Sequence, residues 1–478
     1  MSHDFLFWGK KQVLKKLSSF FIILGLCGCA SQGIMTRSGQ NELYTETNEI
    51  NVVKREDFRV GVLLPLSGEF AKQGNGLKNA TMMAMDDIND SGLVLQYYDT
   101  KGTPEGASIA IENALNQNAQ LIIGPMLSSS VQAITPAVKG RNVPVIAFNS
   151  ASEVLQNGIY TMGLLLDEQV ERIIAYSVQK GRTRFGLLIP DNGTGIAVAR
   201  AAVKSAAKNG ATVTAIAFYK PGTTDFTDLL KDMSQYGSRS AKLSQIKAQY
   251  KASAAAGNAG AIQKMKQLDK LDSYGDVGFD AVLIPDYGAT LKSAVAMFGY
   301  YDVFSPEVKF IGTSIWENTS LNKESTMRGS WYPALSRQNS SYFANKYTEL
   351  FGERPSSLYA FGYDAVALAS AISRQGADNL DAKITNPEGY LGLNGIFRFF
   401  DNGYNQHSLD IKEIRDSGNY IVDAAPRKFM TDGNSTVETI VPSYKPAIYG
   451  KNQNTAEMLI FGSTLSQNTA QPTAVPVY

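Results

Sequence analysis

The chain has 478 residues, 44% of them hydrophobic and 19% charged, a length that suits roughly two to three domains. Its 45 Lys and Arg against 44 Asp and Glu leave a net charge of +1, which argues against the basic excess that nucleic-acid binding requires. Both cysteines, Cys27 and Cys29, and one of the two histidines, His3, fall within the first 29 residues, so most thiol and imidazole chemistry is closed to the rest of the chain.

Lys10, Lys11, Lys15 and Lys16 precede an apolar run that ends at Leu26, followed by Cys27-Gly28-Cys29-Ala30. The run is about ten residues, too short for a hydrocarbon core that needs ~20. Together these are the charged region, apolar region and small-residue cleavage zone of a secretory leader, residues 1–28. Leu26-Cys27-Gly28-Cys29 resembles a bacterial lipobox, which implies cleavage before Cys29 and a lipid on that cysteine; a plain signal peptide is the alternative. Ala30 after the lipid-bearing cysteine implies, by the sorting pattern of lipoproteins, the outer membrane over the inner. Residues 29–57 are mostly polar and read as a flexible tether.

From Arg59 the pattern becomes regular. Val60-Gly61-Val62-Leu63-Leu64 is an apolar run stopped by Pro65 and Ser67-Gly68, a buried strand and its turn. Leu77, Ala80, Thr81, Ala84, Met85 and Ile88 recur at three and four, one face of a helix. Met82, Met83 and Met85 at that spacing are core filler rather than metal ligands. Further strands are predicted at 93–98, 120–123, 143–148, 184–189, 212–218, 279–284 and 308–311, and helices at 104–118, 130–139, 168–179, 195–209, 226–233 and 289–298. Continuous apolar strands suit a parallel sheet buried on both faces, and strand–helix alternation means doubly wound α/β. Two sets of strands predict two such lobes, with ligands at the carboxyl ends of the strands.

Residues 237–271 break the rhythm. Arg239, Lys242, Lys247, Lys251, Lys264, Lys266 and Lys270 face a single acid, Asp269, and Gly257-Asn258-Ala259-Gly260 interrupts the stretch. This reads as a basic helical hairpin projecting from the second lobe, either a solvated insertion or a docking surface for an acidic partner or headgroups. Residues 426–478 form an extension whose Asn-, Thr-, Gln- and Pro-rich end reads as a mobile tail after about 451.

Enzymatic readings lack residues. His407 sits in the polar stretch Asp401-Asn402-Gly403-Tyr404-Asn405-Gln406 and reads as a surface-loop histidine. The sequence has no G-x-S-x-G elbow, no C-x-x-C, no H-E-x-x-H and no phosphate-binding G-x-x-x-x-G-K-[ST]. Asp191-Asn192-Gly193-Thr194-Gly195 opens a helix after a strand but carries Val198 where a dinucleotide-binding turn has its third glycine. Asp86, Asp87 and Asp90 share a helix and face mostly different ways. No cofactor, catalytic residue or metal site is expected.

The loops carry a resemblance. Val60 to Gly68, Ala84-Met85-Asp86-Asp87-Ile88-Asn89, Ile122-Ile123-Gly124-Pro125-Met126-Leu127-Ser128-Ser129-Ser130, Asn142 to Ala147, Lys220-Pro221-Gly222-Thr223-Thr224-Asp225-Phe226, Tyr359 to Val366 and Leu393 to Phe399 resemble, in order, the leucine-binding-protein family of type I periplasmic binding proteins. The likeness runs from about residue 58 to 403. It implies two doubly wound, Rossmann-like lobes joined by three crossovers: 58–163 with 330–392, and 164–329 with 393–425. It also implies a small polar ligand in the interlobe cleft. Ser128 matches the serine that holds a ligand carboxylate in amino-acid-binding relatives, with Ser67 and Ser129 nearby. Asn149, Ser150 and Ser152 replace the loop that helps hold the amino group, while Asn192 and Tyr287 are the second-lobe candidates. The acid that pairs with an ammonium falls near Ser314 here, with Asp286 or Glu317 as the possible substitutes.

Ile284 to Gly288, Phe298 to Val303, Ile311 to Trp316 and Gly329-Ser330-Trp331-Tyr332, with the lysine-rich insertion, resemble more narrowly the penicillin-binding protein activator lipoproteins. That likeness implies a lipid-anchored, non-enzymatic regulator of peptidoglycan synthesis on the periplasmic face of a bacterial membrane. Its partner would be a penicillin-binding protein or another envelope protein, docked through Lys247, Lys251, Lys264, Tyr300 and Tyr301. The other reading is the solute-binding component of an amino-acid-type ABC importer.

Overall fold

The structure, a computed structural model, describes residues 56–318, 320–336, 340–429 and 445–462. The leader, Cys29 and nearly all of the tether lie outside the described residues, as does the end of the chain. The first lobe is a run of βα units: β1 (Phe58–Leu64), α1 (Ala71–Ile88), β2 (Leu93–Asp99), α2 (Pro104–Asn116), β3 (Leu121–Ile123), α3 (Ser128–Arg141), β4 (Val145–Ala147) and β5 (Ile159–Thr161). The strands form an all-parallel sheet in the order β2-β1-β3-β4-β5. Apolar side chains on both faces of each strand explain the double cover of helices. Val60, Val62 and Leu64 of β1 pack into one core, and Leu63 packs into the core on the opposite face. Met83 is core and Met82 is half-exposed, as their helical spacing requires.

The chain then enters the second lobe through α4 (Leu166–Gln179), β6 (Arg184–Pro190), α5 (Gly193–Lys208), β7 (Thr212–Tyr219), α6 (Thr227–Met233), α7 (Tyr236–Ala255), α8 (Ala259–Leu268), β8 (Ala281–Leu283), α9 (Gly288–Tyr300), β9 (Lys309–Ile311) and β10 (Trp331–Leu335). The basic insertion is the hairpin α7–α8, broken at Ala256–Asn258, where Gly257 takes φ +83°. Trp316 is fully buried under this lobe's strands, beside Tyr332.

The chain returns to the first lobe with α10 (Ser340–Phe351), α11 (Ser357–Ser373) and α12 (Leu380–Ile384), then forms a three-stranded antiparallel sheet from β11 (Tyr390–Gly392), β12 (Gly395–Phe399) and β13 (Asn405–His407). Three carboxylates at the end of α1 seat the returning helices, the first being Asp86, which accepts from Lys346 at 3.0 Å. Asp87 accepts from Lys346, Tyr342 and Tyr363, and Asp90 from Ser370 and Arg374. Burial raises the Asp87 carboxyl, but Lys346 and the two tyrosine hydroxyls outweigh it and hold it below its ordinary value.

Finally β14 (Leu409–Arg415), β15 (Gly418–Asp423), β16 (Ala447–Tyr449) and α13 (Gln453–Phe461) complete the larger sheet, ordered β15-β14-β10-β9-β8-β6-β7-β16. Three features differ from the sequence reading. β10 belongs to the second lobe's sheet rather than the first, because it pairs with β9 and β14. Phe397 and Phe399 of β12 pack into the first lobe's core, so the last transfer between lobes falls at Ser408, not at 393. Residues 453–461 form a helix rather than a tail, because Ala456 and Ile460 are buried against the second lobe's core. Among the described residues, no helix is long and apolar enough to cross a membrane.

Candidate functional site

In doubly wound sheets the loops at the carboxyl ends of the strands form the natural binding rim. On the first lobe, β3 runs into α3 through Gly124 at φ +89°, where an added Cβ would lie 2.1 Å from the Leu63 carbonyl oxygen. Ser128 opens α3 half-buried, and no side chain caps the helix start. Ser130 points inward; its Oγ is buried with no partner among the described residues. Asn149, after β4, is 4% exposed. Its Nδ2 donates to the Ala151 carbonyl at 2.8 Å, while its Oδ1 is buried without a partner. Ser129 and Ser150 are exposed, and Ser152 opens a short 3-10 turn.

Ser67 is committed elsewhere. Its Oγ donates to Asp99 at 2.6 Å, and Asp99 also accepts the backbone N–H groups of Leu66, Ser67 and Lys101. Burial raises the Asp99 carboxyl, but the Ser67 hydroxyl and these three amides hold it below its ordinary value. Ser67 therefore shapes the β1–α1 turn.

The second lobe's rim holds its own charges. Asn192 caps α5 by accepting from the Gly195 N–H at 2.9 Å. The adjacent Asp191 pairs with Lys451 at 2.5 Å, a residue that β16 delivers beside β7. Asp286 accepts from the Tyr219 hydroxyl; burial and then this carboxylate push that hydroxyl's pKa up. The Asp286 backbone oxygen accepts from Trp316 Nε1 at 3.0 Å. Glu317 accepts from Tyr332 at 2.7 Å and from Lys412 at 2.6 Å. Tyr287 is 57% exposed at the start of α9, and the Ser314 N–H donates to Gln169. Both acids offered as substitutes for the missing ammonium partner, Asp286 and Glu317, are thus engaged within the protein.

The hairpin is more selective than its sequence implied. Arg239 is 7% exposed and donates to the carbonyl oxygens of Gly275, Ser234, Tyr301 and Asp302, so it fastens the hairpin to the lobe and adds nothing to the surface charge. Lys251 is exposed, Lys264 is half-buried and Lys247 lies 3.4 Å from Asp269. Tyr300 is 70% exposed, but Tyr301 is 3% exposed and donates to the Thr227 carbonyl. Tyr301 is a core residue that a partner cannot reach, because α9 ends with its ring turned in against Tyr236.

His407 is also corrected: it is 6% exposed at the end of β13, and its backbone N–H and Nδ1 both meet Glu168. Sequence reading missed Ser130 and Lys451 as well. The helical spacing of Ser130 with Val131 and Ile134 could have turned it inward, whereas nothing local to Lys451 signals its carboxylate partner.

A sequence profile described as periplasmic binding protein matches residues 57–419. The Leu/Ile/Val-binding protein BraC3 of Rhizobium johnstonii is 25% identical over 187 residues, covering 36% of this chain and 50% of that protein. The chain spans about half the length of the curated relatives it matches. Among solved structures, a branched-chain amino acid ABC transporter protein of Rhodospirillum rubrum aligns with a TM-score of 0.59 at 15% identity, over 77% of this chain and 100% of that one. The C-domain of LpoA from Haemophilus influenzae, a regulator of PBP1A, aligns with a TM-score of 0.55 at 17% identity, over 76% of this chain and 99% of that one. At such identities these two likenesses speak for the fold. The profile takes in both lobes and all the strands from β1 to β14, and the chain belongs to the periplasmic binding protein family.

Proposed function

We propose that this protein is a non-enzymatic cell-envelope lipoprotein whose leucine-binding-type domain regulates peptidoglycan synthesis by contact with a penicillin-binding protein. The observation that carries this reading is the closed electrostatics of the second lobe's rim. Asp191 and Glu317 are each paired with a lysine, and Asp286 accepts from the neutral Tyr219 hydroxyl and Tyr287 N–H, so an ammonium ligand would find two of the three acids already compensated. Such a cation is costly to bury uncompensated. The α7–α8 hairpin, outside the βα repeat, supplies the docking surface through Lys247, Lys251 and Lys264, with Tyr300 beside its base. The LpoA likeness supports the same reading.

A second reading has its own support. Ser130 Oγ and Asn149 Oδ1 are buried without partners at the first lobe's rim, which suits a small polar ligand and hence the solute-binding component of an amino-acid-type ABC importer. One pair of measurements separates the two. Regulation by contact predicts capture of a penicillin-binding protein that weakens with salt and is lost when Lys247, Lys251 and Lys264 become Glu. Capture indifferent to both would remove the hairpin as the surface. Transport predicts that some amino acid raises the melting temperature, because saturating ligand adds RT ln(1 + [L]/Kd) to stability.

A further inference from the structure

The chain passes between the lobes between β5 and α4, between β10 and α10, and at Ser408 between β13 and β14. Beyond the last of these crossings it touches the first lobe again. After β15, the edge strand of the second lobe's sheet, residues 424–429 reach back to the three-stranded sheet. Their start is anchored in the second lobe, where the Ala425 N–H donates to Asp410 Oδ1 at 2.7 Å and Asp410 is 1% exposed on β14. Their end lies on the first lobe. The Arg398 guanidinium of β12 sits 4.6 Å from the centroid of the Phe429 ring and 5.2 Å from that of Phe400. By Ala447 the chain is back in the second lobe, where β16 pairs with β7.

Side chains alternate along β12. Phe397 and Phe399 face the first lobe's core, which puts Ile396 and Arg398 on the other face, with Leu391 of β11 and Gln406 of β13 across the ladder. That face is thinly covered, since Leu391 is 73% exposed and Phe400 38%. Arg398 is already held within its own lobe: Nε donates to Gln406 Oε1 and Nη1 to the Pro387 carbonyl, both at 2.9 Å. The segment itself is not sunk into a core. Pro426, Arg427 and Lys428 are exposed, and Phe429 is half-buried. The contact of Phe429 with Arg398 thus joins two residues that the sheets assign to different lobes, and neither residue needs it to keep its own lobe folded.

We propose that residues 424–429 are a strap: a tie between the lobes, additional to the three crossings, that holds them in the arrangement seen here. Rotation of one lobe against another is absorbed by a few residues at the crossings. A contact that spans the lobes away from those residues opposes the rotation. A guanidinium over an aromatic ring at a partly exposed site shifts such an equilibrium by about two- to thirtyfold. The strap therefore biases the lobes and still releases.

The test is small-angle X-ray scattering and limited trypsin digestion of the full chain. Phe429→Ala and Arg398→Gln are expected to raise the radius of gyration. They are also expected to speed cleavage after Arg427 and Lys428 by about two- to thirtyfold, because cutting follows the released population. Cleavage after Lys251, in the hairpin, is expected to stay as in the wild type. The double variant is expected to match either single one, since both remove the same contact. Phe429→Trp, which keeps a ring for the guanidinium, is expected to behave as the wild type. Circular dichroism checks the fold, and Phe429→Ala serves alone if Arg398→Gln fails to fold. A radius unchanged in folded Phe429→Ala overturns the strap whatever the cleavage rate does, as does a double variant whose effect is the sum of the two single ones.

Discussion

At the ends of β3 and β4 the first lobe buries Ser130 Oγ and Asn149 Oδ1 with no partner among the described residues, whereas the second lobe engages Asp191, Asp286 and Glu317 internally. Both rims are built from the same βα units. The difference comes from what lies outside the repeat: Lys451 arrives from the C-terminal extension, Lys412 from β14, and Trp316 from the irregular turns after β9. Rims alike in topology can thus differ in what they offer a ligand. The first lobe leaves hydrogen bonds to be made, and the second has used its charges to hold itself together.

The comparison can be broken most forcefully at Trp316. Trp316→Ala removes a fully buried side chain and the bond to the Asp286 carbonyl. It is expected to lower unfolding free energy by about 3–5 kcal/mol in urea titration. A loss below about 1 kcal/mol would mean that the second rim does not rest on this residue. Lys451→Met should act more gently, because the Lys451 side chain is 18% exposed and that of Asp191 is 39% exposed. A loss of about 0.5–1 kcal/mol is expected, shrinking in high salt. A variant that instead gained binding of L-lysine or L-arginine, read by calorimetry, would mark Asp191 as a ligand site that Lys451 fills. Ser130→Ala should have the smallest effect, a change within about 1 kcal/mol and of stabilising sign, because it deletes an unpartnered hydroxyl. A clear destabilisation would reveal a partner and erase the contrast between the rims.

Much of this architecture was legible in the chain. Strands such as Arg184–Pro190 and helices such as Pro104–Asn116 follow from local pattern, an apolar run in one case and a Pro-started helix capped by Thr103 in the other. The hairpin break at Gly257 was readable for the same reason, since the turn there takes a positive φ. Apart from Ser130, whose inward turn was readable from its helical spacing, the failures are long-range. β10 looks like any short apolar strand, and its assignment depends on which neighbours it pairs with. His407 sits in a polar sequence and is buried all the same, because Glu168, more than two hundred residues earlier, reaches it. Tyr300 and Tyr301 are adjacent and similar, and only the end of α9 against Tyr236 turns one inward.

The amino-acid sequence alone determined the alternation of strand and helix, the two lobes and the basic hairpin, because periodicity, caps and turn glycines act over a few residues. Tertiary structure alone decided which charges stay available, since a carboxylate's partner is set by folding distance. Lys451 meets Asp191 and Lys412 meets Glu317 only once the second lobe has folded, and His407 meets Glu168 only once both lobes have formed.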